Sequence, residues 1–316
     1  MAGFLLRRIV HSVPVLIGVT IVVFAMMHLA PGDPAQAMLG PMATPENLAK
    51  IRHDLGLDRP LTAQYLSWVS HAAQGDFGDS IKMASPVRTE VIDRFGASLL
   101  LGGASFVIAI LVGIPAGVLS ALNRGSVVDR LIMLVMMAGI SMPPFYLGML
   151  LIVAFAFKVE LFPMSGMYST EGYGGIGDLL SHLVLPAVTL AGASTTVIAR
   201  MTRSSVLEVI NDDYVRTARA KGLAEQAVVV RHVLKNALIP VINLLGLQIG
   251  FLLSATALVE VVFSWPGLGQ LLVSSVLARD LPMLQGGVFV IALVYVVTNI
   301  VTDTVHAAVD PRLHLS

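Results

Sequence analysis

The sequence predicts an all-α polytopic membrane protein with six transmembrane helices and a small external helical subdomain after the first of them. Of its 316 residues, 56% are hydrophobic and only 13% charged. Its mean hydropathy of +0.82 is far above what a water-exposed surface tolerates, so lipid is the solvent for most of the chain. Six apolar runs reach the roughly 20 residues needed to cross a bilayer. They are 9–30, 97–122, 131–157, 183–201, 240–263 and 286–308.

The first run follows Arg7 and Arg8, and Ala35-Gln-Ala37 imitates a signal-peptide cleavage site. It is longer than a signal core, and Pro31 and Pro34 crowd the cleavage region, so a retained anchor helix is expected. Within 31–96, Thr44, Pro45 and Glu46 mark a helix start with a capping hydroxyl, a first-turn proline and an acid at the positive dipole end. Leu48, Ile51 and Leu55 then recur at helical spacing, and Gly56 stops the helix. Tyr65, Trp68, Val69 and Ala72 share one face of a second helix that ends at Gly75. These two helices form the expected external subdomain.

After the second and third spans, the segment 160–182 is rich in Gly, Tyr and Ser and reads as an external loop. A basic loop, 202–239, separates the fourth span from the fifth. In 263–282, Gly267 and Gly269 break the fifth span before Leu271, Leu272, Ser275, Val276 and Ala278 resume helical spacing. That predicts a re-entrant or surface helix on the external side, with Trp265 at the membrane interface. The sixth span leads to a short tail, 309–316. Basic residues cluster at Arg7, Arg8, Arg124, Arg130, Arg200, Arg203, Arg216, Arg219, Lys221, Arg231 and Lys235, whereas the alternate short loops carry Lys158 and Arg279. Both termini, the tail and the 202–239 loop are therefore expected in the cytoplasm.

Several function classes are disfavoured. A formal net charge of zero leaves no global field to recruit nucleic acid. Without cysteine there are no disulfides, thiolate metal sites or cysteine nucleophiles. No G-x-S-x-G, no H-E-x-x-H and no metal-spaced acid pair occurs within a span, so no catalytic, cofactor-binding or metal-ligating residues are assigned. The chain also lacks any Gly-Lys dipeptide, and with it a phosphate-cradling G-x-x-x-x-G-K-[ST]; any ATP and Mg²⁺ must be bound by another polypeptide. Glu260, Asp303, His306, His11 and His28 all lie toward span ends, which disfavours an ion-coupled carrier. The mid-span polar groups are neutral: Asn243, Gln248, Thr256, Thr298 and Asn299. Asn243, Gln248, Thr256 and Asn299 are candidates either for a transport pathway or for interhelical hydrogen bonds.

One stretch, DDYVRTARAKGL at 212–223, is densely polar in this apolar setting. Asn211, Asp212 and Asp213 offer capping oxygens and negative charge at a helix start; Arg219 and Lys221 lie near its end, and Gly222 supplies a left-handed stop. A helix of about ten residues is marginal in water and needs a surface to lie on. Tyr214 and Ala218 share one face, and Val215, Ala218 and Gly222 an adjacent one, where small side chains would admit a partner's groove. A solvated loop that only enforces topology, or a polybasic lipid-binding segment, needs charge but neither caps nor an alanine face. Docking into a partner protein explains more of the residues.

DYVRTARAKGL followed by VVVRHVLKNALIPVI resembles the loop of binding-protein-dependent ABC importer permeases, whose pattern is E-A-A-x-x-x-G, nine residues, then I-x-L-P. Aligned on Gly222, Arg216 takes the Glu position, Thr217 and Ala218 the Ala positions, His232 the Ile, Leu234 the Leu and Lys235 the Pro. These departures are similar to the dipeptide, oligopeptide and nickel permease group, to which a glutathione importer permease is close. So are LAPGDPA, QGDFGDS, ISMPPFYLGMLLI, ARMTRSS and VEVVFSWPGLGQLLVSSVLARDLP, in order along the whole chain. Ala224 stands where the group often has a capping Ser.

The resemblance implies a type I ABC importer permease fold in a bacterial inner membrane. It implies a homologous second permease, two ATPase subunits that bind ATP and Mg²⁺, and an extracytoplasmic solute-binding protein. Asp213, Tyr214, Arg216, Thr217, Ala218, Arg219, Ala220, Lys221, Gly222 and Leu223 would form the ATPase-coupling helix. Short peptides are the expected cargo, with glutathione or a nickel chelate as variants. A self-sufficient secondary carrier and a non-transporting receptor are the readings from other classes.

Overall fold

The computed structural model describes residues 2–29, 35–36, 44–54, 56–169 and 174–309. Residues 30–34 of the LAPGDPA stretch, Ala37, Leu55 and the tail from 310 onward lie outside them. In chain order the helices are α1 (Ala2–Leu29), α2 (Pro45–Asp54), α3 (Leu61–Ala73), α4 (Val87–Leu122), α5 (Val127–Ser141) and α6 (Pro144–Leu151). They continue with α7 (Gly175–Val209), α8 (Asp213–Ala220), α9 (Glu225–Val228), α10 (Leu234–Val262), α11 (Leu268–Ala278) and α12 (Leu281–Val309). Two π-helical stretches, Ile152–Lys158 and Val229–Val233, extend α6 and join α9 to α10.

Local chemistry accounts for the punctuation. Thr44 Oγ1 accepts the Asn47 N–H at 3.3 Å at the start of α2, and Gly56, at φ +65°, ends it. Ser126 caps α5 by accepting the Asp129 N–H at 3.2 Å. Among the described residues, five helices are long and apolar enough to cross a membrane, or six if a bent pair is taken as one span.

That pair corrects the expectation of one continuous third span over 131–157. α5 and the α6 segment meet at a bend of 111°. The cause is Pro143-Pro144: neither nitrogen can donate to the helix ladder, and proline drives the residue before it out of helical geometry, as Met142 shows with ψ 133°. Other boundaries also differ. α4 begins at Val87, inside the segment assigned to the external subdomain. α7 runs from Gly175 to Val209, absorbing the end of the expected 160–182 loop and the start of the expected 202–239 loop. Pro240 lies inside α10 rather than at its start. Trp265 is fully buried within the protein, so its ring is not presented to lipid as an interfacial tryptophan would be.

The chain divides into two compact units. The first, residues 1–97 and 266–300, has a core of Val87, Val91, Leu268, Leu271 and Met283. In it Tyr65 of α3 packs edge-on against Phe24 of α1 at 5.4 Å, and its hydroxyl meets Thr20 Oγ1 at 2.8 Å. Trp68 reaches Phe289 of α12 at 6.4 Å. The carboxylate of buried Asp280 accepts the Ser80 hydroxyl at 2.5 Å and the N–H groups of Ile81, Lys82 and Met283 at 3.2–3.3 Å. That ties the 79–86 turn to the start of α12.

The second unit, residues 98–265 and 301–316, is built around α7. α4 crosses α7 at backbone contact: a Cβ on Gly117 would stand 2.5 Å from the Ala199 carbonyl oxygen and 2.6 Å from Thr202 Cβ. Gly139 of α5 meets the Gly192 carbonyl of α7 in the same way, at 3.0 Å. Ala109, Ala191, Ile198 and Val241 fill the space between α4, α7 and α10.

Candidate functional site

The helix predicted in DDYVRTARAKGL is α8, eight residues from Asp213 to Ala220. Its start is simpler than expected: Asp212 is the N-cap but makes no side-chain capping bond, and Asn211 donates backward to the Leu207 carbonyl at 3.3 Å. Thr217 Oγ1 bonds the Asp213 carbonyl at 2.9 Å. Gly222 has φ +79°, the left-handed stop the sequence predicted.

So short a helix is held by its seat. Val215 and Ala218 are buried in a cluster with Ala121 of α4, Val206 of α7, Val228 of α9, Val233 of the π-helical stretch that follows it, and Ala237 of α10. This corrects the expectation for the small-residue face. Val215 and Ala218 point into this chain rather than toward a partner, and Ala218 gives close approach to the protein's own helices.

Polar clips complete the mounting. The Arg219 guanidinium donates to Glu225 at 2.7 and 3.1 Å and reaches the Ile210 carbonyl at 3.4 Å. The Glu225 carboxylate raises the Arg219 pKa above its ordinary value by stabilising the charged form. Asn236 Nδ2 donates to the Tyr214 hydroxyl at 2.8 Å, tying α8 to α10.

What remains faces outward. Asp213, Tyr214, Arg216, Thr217, Ala220, Lys221, Gly222 and Leu223 are exposed. Arg216 and Asp213 approach to 3.6 Å, with side chains 70% and 100% exposed, so this pair adds little to stability.

The mid-span polar candidates divide between the two units. Gln248 is buried and accepts the Ser194 hydroxyl at 3.4 Å, an interhelical bond between α7 and α10. Thr256 is buried and Asn243 half-buried in the same unit, whereas Asn299 is exposed and belongs to the other unit. Among the described residues, no group of three or more His, Cys, Asp or Glu is arranged to hold a metal ion.

Two features escaped the sequence reading. Glu260 is fully buried and accepts the Ser98 hydroxyl at 2.6 Å. Beside the seat of α8, buried Asp129 takes both arms of the Arg203 guanidinium at 2.9 Å, the Gly125 N–H at 2.9 Å and the Ser120 hydroxyl. Its local signal was Ser126-x-x-Asp129, a capping pattern. Nothing nearby in the sequence announced Arg203 as its partner.

Among the described residues, the structure is that of a polytopic helical membrane protein that seats one short helix on the ends of its long helices and leaves that helix's polar face exposed. The chain belongs to the binding-protein-dependent transport system inner membrane component family, whose model matches residues 113–315; the N-terminal model of the same systems matches 1–102. It is 40% identical to the dipeptide transport system permease protein DppB of Escherichia coli K12, with 99% of each chain covered. It is 42% identical to the glutathione transport system permease protein GsiC of Escherichia coli K12, again with 99% of each covered. Among solved structures it resembles an inward-facing MetNI methionine ABC transporter (TM-score 0.56, 19% identity, 70% of this chain and 96% of that one), which supports the type I importer permease fold. The chain is thus a multi-pass inner-membrane permease of an ABC importer, a family that works with ATPase, permease and binding-protein partners.

Proposed function

We propose that the chain is the translocating subunit of an ATP-driven importer carrying short peptides, dipeptides first, into the cell. On this reading it catalyses no reaction and holds no cofactor. ATP and Mg²⁺ are bound by two separate ATPase subunits, a homologous second permease completes the pathway, and an extracytoplasmic solute-binding protein delivers the cargo. Both termini and the 210–224 segment lie in the cytoplasm, as the Lys and Arg asymmetry of the short loops favours.

The observation that carries the proposal is the mounting of α8. Its apolar residues Val215 and Ala218 are seated on α4, α7 and α10, while Asp213, Tyr214, Arg216, Thr217, Ala220, Lys221 and Leu223 stay open to a partner. Arg219 holds the helix to Glu225, and Gly222 ends it. An ATPase gripping the open face would pass its closure to the ends of three helices at once, a two-state displacement driven by nucleotide binding in another chain.

Peptide cargo is supported by the full-length relatives, one a dipeptide and one a glutathione permease. Glutathione, itself a tripeptide, is the second reading, favoured by the 42% identity to GsiC. Asn243, Gln248, Thr256 and Asn299 supply neutral polarity suited to a pathway that releases its cargo, although the Ser194–Gln248 bond favours an interhelical role for Gln248.

The test is reconstitution of the tagged chain with its copurifying subunits in vesicles. ATP-dependent dipeptide uptake that competes poorly with glutathione supports the first reading, and the reverse preference the second. Uptake by this chain alone, driven by an ion gradient without ATPase subunits, overturns both.

A further inference from the structure

We infer that Arg203, Asp129 and Ser120 form a positioning clamp that makes α4, α5 and α7 respond to α8 as one body, and so sets how much of each ATP-driven displacement becomes transport. The inference rests on the importer reading above and adds residues that lie outside the coupling helix.

The clamp is fully built. Asp129 Oδ1 accepts from Arg203 Nε at 2.9 Å and from the Ser120 hydroxyl; Oδ2 accepts from Arg203 Nη2 at 2.9 Å and from the Gly125 N–H at 2.9 Å. All four acceptor positions of the carboxylate are thereby filled. Arg203 Nε also reaches Ser120 Oγ at 3.0 Å. Four places meet at one carboxylate: the end of α4 (Ser120), the turn after it (Gly125), the first turn of α5 (Asp129) and α7 (Arg203).

Its position separates it from an ordinary staple. Ala121, next to Ser120, and Val206, one helical turn beyond Arg203, both belong to the apolar seat that buries Val215 and Ala218 of α8. On the other side of the clamp, Gly117 leaves α4 and α7 in close contact at Ala199, Thr202 and the backbone of Arg203 itself. Force on α8 therefore enters α4 and α7 at Ala121 and Val206, and the clamp ties α5 to the same pair.

An ion pair between a buried carboxylate and a half-buried guanidinium, as here, is a poor source of net stability, because desolvation offsets its attraction. What a two-pronged guanidinium supplies that apolar packing does not is a fixed direction and register. That is the property a transmission joint needs.

The experiment uses the complete complex, this chain with its partner permease, ATPases and binding protein, in vesicles. ATP hydrolysis and uptake of a radiolabelled dipeptide are measured in the same preparation for wild type, D129N, R203K and S120A. D129N and R203K are expected to copurify with the ATPases and retain ATP hydrolysis. Dipeptide carried per ATP should fall at least about fivefold, the lower end of site-to-site coupling, and S120A should fall less. R203K keeps the charge and loses the fork, so it isolates geometry.

A pair that only stabilises the fold would lower assembly, hydrolysis and uptake together and leave the transport-to-hydrolysis ratio unchanged, which would overturn the inference. Loss of assembly in all three variants would overturn it as well. Wild-type complexes that hydrolyse ATP without any dipeptide or glutathione uptake would instead sink the importer reading, and the clamp with it.

Discussion

Gly222→Val tests the end of α8. At φ +79° a β-branched residue occupies backbone space it rarely adopts, yet a Cβ there would meet no atom within 4 Å. Packing therefore contributes nothing, and the whole cost is backbone strain, about 1–3 kcal/mol. The strain is relieved by opening the turn closed by Gly222 N–H to Arg219 O at 2.9 Å and Lys221 N–H to Thr217 O at 3.1 Å. An eight-residue helix has almost no helical stability of its own to resist this. The shift corresponds to a change of roughly 5- to 150-fold in the population of the intact turn. In reconstituted complexes, uptake and ATPase copurification should both drop. Membrane insertion and the melting temperature of the solubilised chain should stay near wild type, because Gly222 is exposed and outside the core. Gly222→Asn, which tolerates the left-handed region, should retain most function. If Gly222→Val transports like wild type, the assignment of α8 as the coupling helix is wrong; if Gly222→Asn is equally damaging, backbone conformation is not the reason.

Arg216→Glu reverses an exposed charge whose ion pair with Asp213 is solvent-screened, so melting should not change while ATPase association weakens; unchanged copurification at moderate salt would argue against a role for this face. Gly117→Ala drives a methyl into the Ala199 carbonyl and should destabilise the α4–α7 crossing by about 1–3 kcal/mol, read as a lower unfolding temperature in detergent. An unaltered temperature would mean that the two helices part freely. Asp280→Ala removes the acceptor shared by Ser80, Ile81, Lys82 and Met283, with a loss of at least about 2 kcal/mol for charged hydrogen bonds. Limited proteolysis should then cut within 79–86, and an unchanged digestion pattern would contradict the latch.

Signals carried by one residue and its neighbours were the legible ones. Thr44 and Gly56 bracket α2, and Gly222 ends α8, because capping and left-handed geometry depend on side-chain chemistry within a turn. Apolar length likewise marked a helical membrane fold, though not where its helices begin and end. Hydropathy is blind to a missing N–H, however, so Pro143-Pro144 passed inside an apolar run that the structure bends by 111°. Burial depends on the partner surface. Helical spacing put Val215 and Ala218 on one face of α8, but only the fold says that the chain covers that face itself. The Asp129–Arg203 pair joins helices far apart in the sequence, and no local pattern on either side specifies the other.

The inward turn of Val215 and Ala218 changes what the basic stretch has to do. Had those residues formed the docking face, α8 would hang between two proteins, and strain applied by an ATPase would first unwind an eight-residue helix. With that face committed to Ala121, Val206, Val233 and Ala237, the helix has its surface before any partner arrives. The outward residues are then free to set affinity and partner choice through charge, since rim charges act more on recognition than on stability. On the proposed reading the two tasks sit on opposite sides of one short helix. Substitutions at Arg216 or Lys221 should therefore alter which ATPase is held, and substitutions at Ala218 or in the Arg203 clamp how far its motion travels.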